Sequence, residues 1–317
     1  MVVNPLYSSF RQGFISMSAP AKIIMLLLII LLFVFLSSVA AALISLPLFG
    51  ISLNQISLII GHPDENNLNV IRFFQIIQSI FLFIIPSIIA AWLYSTNTSG
   101  YLQAGTKPSI ISVFLVLSSL VTAVPFMNAL TALNAKMILP EYLHGVETKI
   151  RSMEENAGEL TKLFLEGKHT NDLLVNMLMI AILPALGEEF MFRGIIQRLF
   201  TDWSKNKHIG IFLGAFLFSF IHFQFYGFLP RLLLGIYFGY LLIWSKSIWL
   251  PVAAHFFNNG LAVLYYHYAT DPIGETTMDT IGTGHGYLVA LVGSLVLTAG
   301  ILALVYANER VKYVLSR

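Results

Sequence analysis

Apolar residues in this chain come in long blocks rather than in alternation with polar ones. The blocks lie at roughly 22–48, 73–95, 109–133, 172–199, 209–226, 229–245, 248–268 and 286–307. Most approach the ~17–25 residues that a helix needs to cross a hydrocarbon core roughly 30 Å thick. A helix satisfies its own backbone hydrogen bonds in lipid, so each block is expected to be a transmembrane helix, about eight in all. The first block passes a small-residue stretch, Ser38 to Ala42, that resembles a signal-peptide cleavage site. Its apolar run continues to Phe49, longer than a signal sequence needs, and it is expected as a retained span.

One polar interval carries its own pattern. In 134–171, Leu143, Val146, Ile150, Met153, Ala157, Leu160 and Phe164 recur at spacings of three and four, which predicts an amphipathic helix with one apolar stripe. Such a helix could lie at the interface or over the bundle, or could act as a lid or substrate-docking element. The chain then divides into 1–133 with three spans, the amphipathic loop 134–171, 172–269 with four spans, and 270–317 with a loop and the last span. No internal repeat or low-complexity tract interrupts this order.

Composition sharpens the class. The chain is 57% hydrophobic and only 11% charged, against about 25% charged in soluble domains. An all-α integral membrane protein is expected. Its lack of cysteine excludes disulfides, Cys-ligated zinc and a cysteine nucleophile. The net charge of +2 comes from bases scattered among loops, so no nucleic-acid partner is expected. One set of helix ends carries Arg11, Lys22, Lys107, Arg198, Lys205, Lys207, Lys246, Arg310, Lys312 and Arg317. The opposite loops carry Asp64, Glu65 and Arg72, then Asp271, Glu275 and Asp279. This bias puts both termini in the cytoplasm. The loop 134–171, with five bases and six glutamates, sits awkwardly with it.

Charges inside a span are costly and mark functional candidates. Glu188 and Glu189 are the acids set deep in a span, with Arg193 on the same helix. Glu189 and Arg193 are one turn apart with the acid first, the favoured order for a helical ion pair. Glu188 points about 100° away, so one acid is expected to be paired and the other left free. Pro184 should kink this helix, and Gly187 and Gly194 should admit close neighbours. His222 follows Phe218 by one turn, and Asn259 follows His255 by one turn, with Asn258 alongside. At ~1.5 Å per residue, Glu188, His222 and His255 lie roughly 16, 20 and 10 Å from the Lys/Arg-rich helix ends. That convergence predicts a buried site opening toward the cytoplasmic side.

A carboxylate and an imidazole around one water form a general base for hydrolysis, and imidazole and amide N–H groups can stabilise an oxyanion. Alternatively, Glu188, His222 and His255 could hold a divalent metal such as zinc with one position open for water. No GxSxG serine and no HExxH motif is present. The same buried groups would also suit a proton- or ion-coupled transporter, or an idle membrane scaffold that retains them for structure.

The residues also resemble a known family. Glu188-Glu189-Phe-Met-Phe-Arg193-Gly194 fits EExxxRG, Phe218-Ser-Phe-Ile-His222 fits FxxxH, and His255-Phe-Phe-Asn258-Asn259 fits HxxxN. Gly235 to Gly239 and Ser247 to Pro251 fit as well. In this order and spacing they resemble the CPBP (Abi) family of membrane proteases, which includes type II CAAX prenyl endopeptidases. The resemblance spans about 172–269. It implies a glutamate- or metal-dependent intramembrane endopeptidase acting on a membrane-tethered protein or peptide, in a multi-pass protein of a bacterial plasma membrane. It implies that Glu188 and His222 activate water and that His255 and Asn259 stabilise the oxyanion. Whether the substrate is prenylated or a bacteriocin-like peptide stays open.

Overall fold

The computed structural model describes residues 5–269, 280–282 and 287–315, and the side chains of residues 10–269, 280–282 and 287–312. The acids Asp271, Glu275 and Asp279, and Arg317, lie outside the described residues. The described chain has no strand, and its principal helices are α1 (Pro5–Ile15), α2 (Ala19–Phe49), α3 (Leu53–Gly61), α4 (Glu65–Tyr94) and α5 (Ile110–Ala135). They are followed by α6 (His144–Leu165), α7 (Thr170–Ser204), α8 (Lys207–Phe220), α9 (Phe225–Ser245), α10 (Trp249–Tyr268) and α11 (Tyr287–Leu315).

Among the described residues six helices, α2, α4, α5, α7, α9 and α11, are long and apolar enough to cross a membrane, where the sequence pattern leads one to expect eight. The other two expected spans are helices of a different kind. α8 has 14 residues, about 21 Å of rise, which is short of a ~30 Å core. It stops at Phe220, so His222 falls in the turn beyond it rather than inside a span at 209–226. α10 is 20 residues long, enough in length, but His255, Asn258, Asn259 and His267 dilute its apolar character. The two helices that fall short, with the turn after α8, carry the histidines and asparagines of the polar site, while its acids lie on α7.

Two packed clusters flank that site. One joins α2, α4 and α7 through Leu26, Ala90, Ala91, Phe192 and Ile195. The other joins α5, α9, α10 and α11 through Val116, Phe238, Leu241, Ala254 and Val305. α7 threads between them because Gly187 lets α4 come close: a Cβ there would lie 2.8 Å from Phe83 Cβ.

Both α4 and α7 carry a π-helical turn just ahead of a proline, at Ile80–Ile84 before Pro86 and at Met177–Ile182 before Pro184. Proline offers no N–H to the preceding turn, and the widened turn is the form the kink expected at Pro184 takes. A second π segment in α7, Glu189–Ile196, carries Glu189 and Arg193.

The amphipathic helix expected in 134–171 is α6, and its C-terminal half roofs the central cavity with Ala157, Leu160, Thr161 and Phe164. Arg72 fastens that end. Its Nη1 is 2.7 Å from Asp172 Oδ1, and its Nη2 donates to Phe164 O at 3.0 Å, a carbonyl that also accepts from Asn176 Nδ2 at 2.6 Å. The other half is held by polar contacts to the first turn of α9. The Tyr226 hydroxyl donates to Glu147 Oε1 at 3.1 Å, and Tyr226 N–H donates to Glu154 Oε2 at 3.1 Å. Arg151 donates to the same Glu147 oxygen at 2.7 Å and holds that carboxyl below the usual carboxylate range.

This roof changes the picture of access. The α6 end of the bundle is opposite the end where Lys107, Lys246 and Lys312 gather: Lys312 Nζ donates to Lys107 O, and Ile248 N–H to Gln103 O at 3.2 Å. The cavity walls run from Glu188 toward α6. Toward the lysine-rich end the site is closed by the packed side chains of Phe192, Arg193 and Gln197. A site reached from the side of the termini, as the depth estimate anticipates, is not what these walls provide. That estimate measures depth from one set of helix ends only, and the short α8 brings His222 to the other.

Candidate active site

Glu188, Phe218, His222, His255, Asn258 and Asn259 all line one cavity of about 820 Å³. Three helices and a turn contribute them: α7 supplies Glu188, α8 and its following turn Phe218 and His222, and α10 the rest, while α9 adds Arg231, Leu234 and Phe238 to the wall. Glu189 and Arg193 lie behind this wall, almost wholly buried.

The two glutamates have different surroundings. Glu189 Oε1 accepts from His255 Nδ1–H at 2.7 Å and lies 2.9 Å from Arg193 Nη1. The Arg193 contact is close enough for an ion pair but is not aligned as a hydrogen bond. Arg193 also donates from Nη2 to Gly235 O at 3.3 Å and sits over the rings of Phe218 at 4.4 Å and Phe238 at 5.3 Å. Guanidinium groups favour such aromatic faces because they are planar and weakly hydrated. Glu188 has no comparable anchor. Its Oε2 is 3.9 Å from His255 Nε2, beyond hydrogen-bond reach.

The imidazoles are oriented by their backs. His255 is stacked against Phe238, with ring centroids 5.3 Å apart, and its Nδ1 is committed to Glu189, which turns Nε2 toward Glu188. His222 Nδ1–H donates to Phe218 O at 2.7 Å, leaving Nε2 as the nitrogen with a free lone pair. Which nitrogen is free is set by the bond the other makes. A water about 2.8 Å from both Glu188 Oε2 and His255 Nε2 fits the 3.9 Å gap between them.

Asn259 is already partly engaged. Pro184 has no N–H for the carbonyl four residues back, Ile180, and Asn259 Nδ2 donates to that carbonyl at 3.0 Å. Asn259 Oδ1 accepts from Asn258 Nδ2 at 3.1 Å. One amide N–H of Asn259 thus ties α10 to the π turn of α7. Replacing Asn259 by alanine should therefore lower stability as well as activity, by about 1 kcal/mol or more for the lost bond. A thermal unfolding midpoint equal to that of the parent protein would show that the tie carries no weight.

Among the described residues no three His, Asp or Glu side chains come close enough together to hold a metal ion. Glu188 and His255 approach each other as a pair of potential ligands, and zinc binding would require His222 to join them. Motif spacing does not single out Arg231 and Gln224. Arg231 was nevertheless visible in the sequence, as a charge two residues inside the span expected at 229–245.

A polytopic helical membrane protein with a buried carboxylate, two imidazoles and an amide about one cavity is the class that fold and site define. Residues 170–261 match the family model described as Type II CAAX prenyl endopeptidase Rce1-like. The match contains all of Glu188, Glu189, Arg193, Phe218, His222, His255 and Asn259. No curated protein and no solved structure matches the chain.

Proposed function

We propose that this protein is an intramembrane endopeptidase that hydrolyses a peptide bond of a membrane-associated protein or peptide. The observation that carries the reading is the unequal setting of the adjacent acids. Glu189 is bound to Arg193 and His255, while Glu188 faces the cavity with room for a water beside His255 Nε2. The match to an endopeptidase family supports it and does not favour the transport alternative.

In this mechanism Glu188, aided by His222, takes a proton from water as the oxygen attacks the carbonyl carbon. The remaining N–H of Asn259 stabilises the oxyanion, joined by His255 in its imidazolium form, which keeps Nδ1–H on Glu189 and presents Nε2–H to the cavity. The proton is then passed to the leaving amide nitrogen as the C–N bond breaks. Zinc held by Glu188, His222 and His255 would supply a Lewis acid and lower the pKa of the bound water. Metal content of the pure protein, and cleavage in the presence of a chelator, separate the two versions. Unchanged cleavage without bound metal is the expected result for the glutamate route.

Comparative proteomics of C-terminal fragments from cells carrying the parent protein or its Glu188→Gln variant tests the reading directly. Fragments of membrane-associated proteins should disappear with Glu188. Identical fragment sets would overturn it.

A further inference from the structure

Among the described residues the cavity wall carries one acidic and one basic side chain of the Asp, Glu, Lys and Arg class, Glu188 and Arg231. Arg231 sits in the second turn of α9, on the α6 side of the cavity. Its Nη2 donates to Gln224 Oε1, while Nη1 has no hydrogen-bond partner. The ion pairs formed among the described residues go to Arg72, Arg151, Lys162, Arg193, His255 and Lys312, and none to Arg231. Glu154, across on α6, is engaged with Tyr226 N–H. Gly227 leaves the guanidinium its room, because a Cβ there would lie 3.1 Å from Nη2.

Glu154 and Glu188 lie within electrostatic reach of Arg231 but neither forms an ion pair with it. A half-buried guanidinium with one end unpartnered is expensive to maintain. Its planar fork of donors suits a planar acid group, and a peptide supplies one as a carboxylate. We propose that Arg231, steadied by Gln224, binds a carboxylate of the peptide substrate. The chain would enter with that acid at the α6 end and its scissile bond at Glu188. This rests on the endopeptidase reading, and it adds what the substrate must carry. The carboxylate has two sources, a free C-terminus or an acidic side chain. The cavity, of small-ligand size and roofed by α6, suits a chain end better than a chain running through.

Binding to the full-length Glu188→Gln protein in detergent tests this without requiring hydrolysis. The probes are three fluorescent lipidated peptides of one apolar sequence: a free acid, its C-terminal amide, and the amide with a glutamate as last residue. Amidation is expected to weaken binding at least tenfold. Arg231→Gln should weaken the free acid equally and abolish the acid-over-amide preference, with Arg231→Lys recovering part of it. Restoration by the glutamate peptide assigns the side chain as the source and supports the same subsite; no restoration assigns the terminus.

Equal binding of acid and amide, binding of neither, or a preference that survives Arg231→Gln overturns the proposal. The acid–amide comparison stands even if the Arg231 variants fail to fold. Cleavage of the free acid by the parent protein, run in parallel, fails separately if the endopeptidase reading is wrong.

Discussion

Replacing Glu188 by glutamine should reduce cleavage of a membrane-tethered peptide by ~10²–10⁴, the usual worth of a positioned general base, and leave the folded protein as stable as before. The two halves of this result come from different observations. Activity falls because the amide keeps the shape of the side chain but cannot take the proton of the attacking water. Stability holds because, among the described residues, Glu188 has no hydrogen-bond partner to lose, only the 3.9 Å approach to His255. His222→Ala should fall in the same range if, as proposed, its Nε2 serves the same water. The double variant should lose little beyond either single one, because groups acting as a unit are not additive. Kinetics in proteoliposomes, together with thermal unfolding in detergent, measure both quantities. Cleavage that survives Glu188→Gln in a pure preparation removes Glu188 as the base.

The parts of this site that were legible in the sequence are those set by helical periodicity. One-turn spacing is enough to bring Glu189 beside Arg193 and Phe218 beside His222, because both pairs lie within one helix. Pairings between helices were not legible. The bond from His255 Nδ1 to Glu189 joins residues 66 apart, and nothing in the local pattern tells which acid an imidazole on another helix will meet. The tie from Asn259 to Ile180 O needed the structure for the same reason, although Pro184 announced that a carbonyl would be left without its usual donor.

The α6 side of the cavity was not legible, because a hydropathy block carries no information about where a helix stops relative to its neighbours. α8 ends six residues before the apolar block does, and α6 folds back over the opening that results. The stripe on α6 shows why its docking was only half readable. Leu160 and Phe164 face the cavity, whereas Val146 and Met153, on the same stripe, are exposed.

Arginine 193 should prove the opposite of Glu188, a residue whose loss is felt first in stability. Arg193→Ala removes the guanidinium that sits 2.9 Å from Glu189 Oε1, the donor to Gly235 O, and the cation over Phe218 and Phe238. Glu189, fully buried, is left with His255 alone, and an uncompensated buried charge typically costs about 3–5 kcal/mol. Arg193→Lys should restore part of this, since it keeps the charge but loses the planar fork and its stacking on the rings. The decisive variant is the double one, Glu189→Gln with Arg193→Ala. If the cost is that of a stranded carboxylate, removing the acid as well should recover stability, giving a coupling energy well above the few tenths of a kcal/mol that separate non-additive from independent sites. If the cost instead comes from the void left between Phe218 and Phe238, the double variant will be no more stable than the single. An Arg193→Ala protein that unfolds at the parent temperature would remove the ion pair from the account of how the site is held. Because Glu189 also orients His255, the single variant should lose cleavage even at temperatures where it remains folded, and the ring of His255 is the route by which that loss reaches the substrate.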